Sequence, residues 1–373
     1  MGTGLKPRIV LSGVNFIEAG PLVVFQDALS ELAANFAEQY EIIALVHKLD
    51  LFDTPGVRFL EFPEVKRSWL RRLRFEYRQC RALSRELRPH LWLSMHDMTP
   101  PVTAKIQAVY CHNPAPFYRP GLREALLDWK FALFTLLYRY LYGVYIGRND
   151  FVVVQQEWLR DEFRGCYSAR NIVVAHPSLR TLNLPTAMDR PSQNAPCRFF
   201  YPAFPRSFKN IELLLQAAQI LEQRGFECFE VRVTIDGTEN RYARSLRAAF
   251  GGLHSVRWLG VLPRNGVMAE YAEAQCLLFP SRLESWGLPI SEFKETGKPM
   301  LVADLPYAHE TVGSYASVQF FNPSDAQALA AAMEAFVQGR LTFSAATAQP
   351  VAAPFAKNWQ ELFQILLATE SVL

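Results

Sequence analysis

Short, continuously apolar runs alternate with helical patterns along nearly the whole chain, and no other feature restricts its fold as tightly. In the first half the runs are Arg8–Gly13, Tyr40–His47, Val57–Phe62, Leu91–His96, Lys105–Cys111, Asp150–Gln155 and Ile172–His176. In the second half they are Arg198–Tyr201, Phe229–Ile235, Val256–Leu259, Cys276–Pro280, Met300–Ala303 and Val318–Phe321. A strand with one wet face alternates apolar and polar residues. These runs mostly do not, so they predict strands buried on both faces of a parallel sheet. Helical patterns between them, clearest over Asn210–Arg224 and Asp325–Val337, predict a doubly wound α/β protein with right-handed crossovers. The polar, proline-bearing stretch Leu182–Cys197 has no periodicity and divides the rhythm. It is the expected linker, 182–197, between an N-terminal domain, 1–181, and a C-terminal domain, 198–350. In the remainder, 351–373, Trp359, Leu362, Phe363, Leu366 and Leu367 share a helical face, which predicts a closing helix on an existing surface. Two such sheets are expected to face a cleft at their carboxyl ends, where open α/β folds bind ligands.

Charge narrows the partners. The 373 residues carry 39 Lys+Arg and 36 Asp+Glu, a net of +3 that gives no ground for a nucleic-acid partner. The excess is concentrated: Glu64–Arg88 holds nine basic residues and three acids, so the rest of the chain is net negative. Trp69, Leu70, Leu73, Tyr77, Cys80, Leu83 and Leu87 recur there near helical spacing, which predicts a basic amphipathic helix. Two readings stand, a solvated helix face or a surface drawn to anionic lipid headgroups. Trp129–Gly147 is long enough to span a bilayer, yet Lys130 and Arg139 lie within it and its aromatics are scattered. It reads as a buried or interfacial helix. The six cysteines form no CxxC or Cys/His cluster, so no zinc site or redox pair is expected. They read as reduced thiols of a cytoplasmic protein, and no apolar leader precedes the strand at Arg8.

The stretch Leu277–Gly313 carries the most chemistry. A strand ends at Pro280, a loop holds Glu284 and Gly287, and Leu288-Pro289 opens a helix with proline in its first turn. Gly287 permits close backbone approach, and the N–H groups at a helix start suit an anion. Glu292 falls at about that first turn, eight positions after Glu284, so both carboxylates can face a ligand held there.

Glu284-Ser-Trp-Gly-Leu-Pro-Ile-Ser-Glu292 resembles the E-x7-E signature of the retaining family-4 glycosyltransferases of the GT-B fold, the group 1 type. Other pieces agree in order: Pro205–Asn210 (PRSFKN), Ile235-Asp236-Gly237, Trp258-Leu259-Gly260, Leu278-Phe279-Pro280-Ser281, Gly297-Lys298-Pro299 and Asp304-Leu305-Pro306. The resemblance runs from Arg198 to about Asp325 and is weaker before it. It implies two Rossmann-like domains and a role for each matching residue. Glu292 would bind the ribose hydroxyls of a donor nucleotide. Glu284 would contact the transferred sugar together with the Trp286, Gly287 and Leu288 turn, and Gly237 would lie on the donor side. Arg206 and Lys209 would neutralise the diphosphate, whose charge grows as the glycosidic bond breaks, so that fixed cations favour the transition state. The plainer readings are two cations exposed before a helix, and two carboxylates serving the helix dipole. In the first half, Gly13–Gly20 resembles the glycine-bearing loop near the donor phosphates, with Gly20 preceded by alanine; it also reads as an ordinary βα turn. His112 follows a buried strand and is implied to contact the donor sugar, or is a hydrogen-bonded structural histidine. His96-Asp97 ends the preceding strand and is expected on the acceptor side.

No D-x-D occurs, so a metal-dependent diphosphate site is not expected, nor a cofactor beyond the donor itself. The resemblance implies front-face transfer, with retention, of a hexose or deoxyhexose of mannose or rhamnose type. The donor would be a nucleotide diphosphate sugar and the acceptor a glycan. The basic segment 64–88, with Trp69 and Phe75, points to a lipid-linked acceptor and peripheral attachment at the inner face of a cell membrane. Synthesis of a bacterial surface polysaccharide, O-antigen or capsule, would fit by analogy. A nucleotide-sugar epimerase of the same fold and a non-catalytic sugar-nucleotide binder are the competing readings.

Overall fold

The computed structural model describes residues 6–17, 19–121, 124–125, 128–177, 195–343 and 350–368. Most of the expected linker, 182–194, lies outside the described residues. The chain forms two compact units. One comprises Met1–Phe117, Thr135–Ser178 and Val351–Leu373; the other comprises Tyr118–Phe134 and Leu179–Pro350.

In the first unit every expected run becomes a strand: β1 Arg8–Ser12, β2 Glu41–Val46, β3 Val57–Glu61, β4 Leu91–Ser94, β5 Ile106–Cys111, β6 Phe151–Val154 and β7 Ile172–Ala175. The second unit contributes β8 Cys197–Tyr201, β9 Phe229–Val233, β10 Val256–Trp258, β11 Cys276–Phe279, β12 Met300–Ala303 and β13 Val318–Phe321. A further strand, β14 Phe355–Ala356, was not expected and extends the first sheet beside β7. The sheet orders are β14-β7-β6-β5-β4-β1-β2-β3 and β10-β9-β8-β11-β12-β13. All pairings are parallel. Each unit is thus an α/β doubly wound, Rossmann-like domain. The order reverses between β1 and β4 in one sheet and between β8 and β11 in the other, which sets where ligands bind in such folds.

Burial follows position in the sheet. β4, β5, β6 and β7 are buried at every residue, whereas β3, at an edge, exposes Arg58 and Glu61. Charged side chains at that edge discourage pairing with another chain. The helix Trp359–Leu367, capped by Asn358 accepting from the Glu361 N–H, buries Trp359, Leu362, Phe363 and Leu366 among Phe25, Leu29 and Leu32. Each such apolar side chain contributes about 1.5–3 kcal/mol when fully buried.

The basic segment departs from a simple amphipathic helix. A short turn, Val65–Arg67, precedes a helix over Trp69–Arg74, a π-helical turn over Phe75–Gln79 and a helix over Cys80–Leu87. The wider turn brings Phe75 and Glu76 fully inside. Phe75, expected beside Trp69 on the lipid-facing side, therefore packs with Val10, Ile43 and Trp92 instead. Arg72 also turns inward and donates to His96 O (3.2 Å) and Tyr138 Oη (3.3 Å). The other eight cations are exposed. The apolar stretch after Trp129 forms a helix over Trp129–Gly143, and no helix among the described residues is long and apolar enough to cross a membrane.

Candidate functional site

The switch point of the second sheet brings two of the motif residues, Lys209 and Glu284, together. The loop after β8 carries Arg206 and Lys209, and the loop after β11 carries Glu284. Lys209 Nζ lies 2.5 Å from Glu284 Oε1, an ion pair with both side chains largely covered. Asn210 holds the two loops in register: in a left-handed conformation (φ 57°), it donates from Nδ2 to Pro280 O (3.1 Å) and Pro323 O (2.8 Å). Tyr201 Oη donates to Lys209 O (2.9 Å), and burial with the Glu284 charge nearby pushes its hydroxyl well above the usual range. It therefore stays a donor. Arg206 is exposed, its guanidinium 5.4 Å from the Phe204 ring centroid.

Gly287 turns the chain into the helix Leu288–Lys294 at φ 84°, a conformation that costs a side chain strain. Pro289 has no N–H, and the Ile290 N–H returns to Gly287 O (2.9 Å). The Trp286 indole does not face outward: it is buried, and its Nε1–H donates to Ser291 Oγ (2.9 Å). Thr311 Oγ1 donates to Trp286 O and locks the turn from behind. Glu292 is nearly buried between Arg264 (2.7 Å to Oε1) and the Tyr271 hydroxyl (3.0 Å to Oε2). Burial and the facing carboxylate push the Tyr271 pKa well up, so this hydroxyl also remains a donor. The Arg264 side chain is 65% exposed, so the lid on Glu292 opens to solvent.

Residues 192–349 match the model of the family described as glycosyl transferases group 1. Over 162 residues the chain is 28% identical to the O-antigen chain mannosyltransferase B of Escherichia coli, which covers 41% of this chain and 40% of that protein. The matched part thus spans less than half of that relative's length. Among solved structures, the sucrose-phosphate synthase of Thermosynechococcus elongatus has a TM-score of 0.62 at 15% identity over 90% of each chain. WaaG, a glycosyltransferase involved in lipopolysaccharide biosynthesis, also scores 0.62, at 12% identity over 88% of this chain and 90% of its own. The fold is GT-B. Over residues 192–349 the chain is similar to the group 1 glycosyl transferases.

Gly237 sits in a turn held by its own loop. It follows β9 at φ 103°, and its N–H donates to Glu239 Oε2 (3.0 Å) and the Asp236 N–H to Glu239 Oε1 (2.7 Å). A carboxylate of the same loop already occupies these donors. Asn240 Nδ2 joins that loop to Pro205 O (2.6 Å), beside Arg206. A cavity of about 580 Å³ adjoins the loop after β8, lined in part by Tyr118, Glu124, Asn210, Tyr242 and Arg282. Arg282 pairs with Glu124 (2.7 Å), and neither motif glutamate lines the cavity.

The first unit has its own cluster at the β1/β4 reversal. His96 Nε2 lies 3.2 Å from Ser12 Oγ, and His96 Nδ1 lies 3.2 Å from Glu76 Oε1 without the alignment of a hydrogen bond. Both residues are buried. Burial pushes the Glu76 carboxyl up to about 8, and burial aided by the Arg72 guanidinium holds the His96 imidazole neutral. Asp97, at φ 70°, accepts from the backbone N–H of His112 (2.9 Å) and of Asn113 (3.2 Å), and its Oδ1 lies 3.6 Å from His112 Nδ1. His112 is thus a partnered histidine at the end of β5, edge-on to Phe16. Gly20 sits not in the loop but in the first turn of the helix Ala19–Asn35. The close approach in that loop belongs to Gly13, where a Cβ would lie 2.6 Å from the Phe25 ring.

Sequence reasoning missed Arg264 and Tyr271, although their spacing of seven puts them on one helix face. It also missed the Glu76–His96 contact, for which twenty positions of separation give no signal.

Proposed function

We propose that the chain is a retaining, metal-independent hexosyltransferase. It moves a hexose or deoxyhexose, of mannose or rhamnose type, from a nucleotide diphosphate sugar to a glycan acceptor. The observation that carries this reading is the Lys209–Glu284 pair at the switch point of the second sheet. On donor binding, Glu284 exchanges part of its contact with Lys209 for hydroxyls of the sugar, and Lys209 with Arg206 meets the diphosphate. The bond from the anomeric carbon to the diphosphate oxygen breaks while the acceptor oxygen bonds the same face, and the acceptor's proton passes to the departing phosphate. Charge accumulating on that phosphate is stabilised by cations already in place, which lowers the barrier without reorganisation. Glu292 accepts the ribose hydroxyls as Arg264, free to swing into solvent, gives way. His112 and Gly20 keep the donor-side roles that the resemblance implies.

The acceptor in this reading is lipid-linked, and the basic segment 64–88 holds the protein on the inner face of a membrane where a surface polysaccharide, O-antigen or capsule, is assembled. The mannosyltransferase relative and the lipopolysaccharide enzyme among the fold neighbours support this direction. The test is Glu292→Ala, with the nucleoside diphosphate alone as probe in calorimetry. Loss of hydrogen bonds to a charged group predicts about a 10- to 100-fold weaker Kd. Unchanged affinity would overturn the ribose assignment, and interconversion of the nucleotide sugar without any acceptor would favour an epimerase.

A further inference from the structure

The helix Trp129–Gly143 buries one face and leaves the other bare. Thr135, Tyr138 and Tyr142 point into the first unit, while Leu136, Leu137 and Tyr140 are 57, 52 and 71% exposed. Three large apolar side chains on one outward face exceed the scattered exposure normal for a soluble surface. The helix Trp69–Arg74 continues that face. Trp69 packs edge-on against Tyr138 (6.3 Å), Tyr77 against Tyr145 (5.8 Å), and Trp69 and Leu70 are themselves 49 and 79% exposed. Of the eight exposed cations in segment 64–88, Lys66, Arg67, Arg71, Arg74 and Arg78 lie nearest along the chain to Trp69, Leu70 and Tyr77, with no exposed acid among residues 66–78. Arg148, over the Tyr145 ring, adds another.

We propose that these two helices form one docking surface for an anionic lipid bilayer. It deepens the membrane contact of the preceding reading and rests on it. Leu70, Leu136, Leu137 and Tyr140 enter the boundary between headgroups and acyl chains, and the arginines pair with headgroup phosphates. Charge selects this occupant. A second copy of the chain would bring the same cations face to face, a like-charge arrangement that opposes association. An anionic surface gains about fivefold in partitioning from each cation near it. Since neither helix crosses the bilayer, attachment is shallow and reversible.

The experiment is co-sedimentation of the full chain with vesicles of phosphatidylcholine, alone or mixed with phosphatidylglycerol. Binding is expected only to the mixed vesicles. Reversal of Arg71, Arg74 and Arg78 to Glu lowers it by about 100-fold or more. Arg72 is left intact because it faces the interior. Leu136→Ser with Leu137→Ser lowers binding by about tenfold or more at high salt, where the apolar contribution dominates. Equal binding by these variants, binding to neutral vesicles alone, or a dimer in sedimentation that the leucine variant dissociates would each overturn the proposal. Nucleoside diphosphate binding is measured in parallel. Its retention in the variants shows that they are folded, and its absence in the wild type would strike the glycosyl-transfer reading while leaving the vesicle result to stand.

Discussion

At the reversal of the second sheet, charged side chains meet partners and stay within reach of water: Lys209 with Glu284, and Glu292 with the exposed Arg264. At the reversal of the first sheet, Glu76 is fully buried, neither of its oxygens is hydrogen-bonded among the described residues, and His96 stands against it. Sheets of the same doubly wound kind have thus put their charges to different uses. Paired carboxylates at a solvent-facing site can trade one partner for a ligand with little loss, because the alternative partner also carries charge or hydrogen bonds. A buried carboxyl without hydrogen bonds has no such exchange open to it and is retained as the neutral acid. The first arrangement suits binding. The second fixes a proton inside the fold.

The comparison breaks most directly at Lys209. Lys209→Ala should lower turnover by about 10²- to 10³-fold, the usual cost of removing one donor from developing charge. The assay would use whichever nucleotide sugar stabilises the protein in a thermal-shift panel. Glu76→Gln should leave turnover within a few-fold, and an equal loss in both variants would erase the distinction drawn here. A second measurement sharpens the proton assignment. With a folded pKa of about 8 against an ordinary 4.5, Glu76 binds its proton more tightly in the folded chain. Its contribution to stability is therefore complete below about pH 4.5 and declines as pH rises towards 8. The neutral His96 adds an opposing slope that fades above the ordinary imidazole pKa of 6.5, so the difference between wild type and Glu76→Gln in urea denaturation between pH 7 and 8 reads Glu76. Wild type should lose up to about 1.4 kcal/mol per pH unit there, and Glu76→Gln distinctly less. Identical slopes would mean that the carboxyl ionises freely. The smallest effect is expected at Gly287. Gly287→Ala should cost about 1 kcal/mol, since φ is 84° and the new Cβ would lie 3.3 Å from Ile290 Cδ1. Calorimetric melting checks it, and a raised Tm would show that the turn tolerates a side chain.

Strands were legible wherever the chain offers a continuous apolar run, which explains why β1 to β13 stand where expected. β14 escaped because two residues between Pro354 and Lys357 carry no periodicity. The inward turn of Arg72 escaped for another reason: amphipathic spacing assigns a cation to the solvent face, whereas this guanidinium finds acceptors inside at His96 O and Tyr138 Oη. The motif glutamates and their cations were readable from order and spacing along two loops. What holds Glu292 was not, because Arg264 and Tyr271 reach it only through tertiary packing. The same holds for Gly237, whose N–H is claimed by a glutamate two residues on.

The strand β14 and the helix after it have a consequence for how the chain is made. The first unit opens with β1 and is closed only by residues 355–367, which complete its sheet edge and fill its core. A ribosome releasing residues one at a time completes every strand of the second unit while the first still lacks a wall. Domains commonly fold in the order of their synthesis. In this molecule the unit begun first waits for residues after the second unit, so a chain broken off before Phe355 would keep every strand of the second unit and leave the first with an open flank.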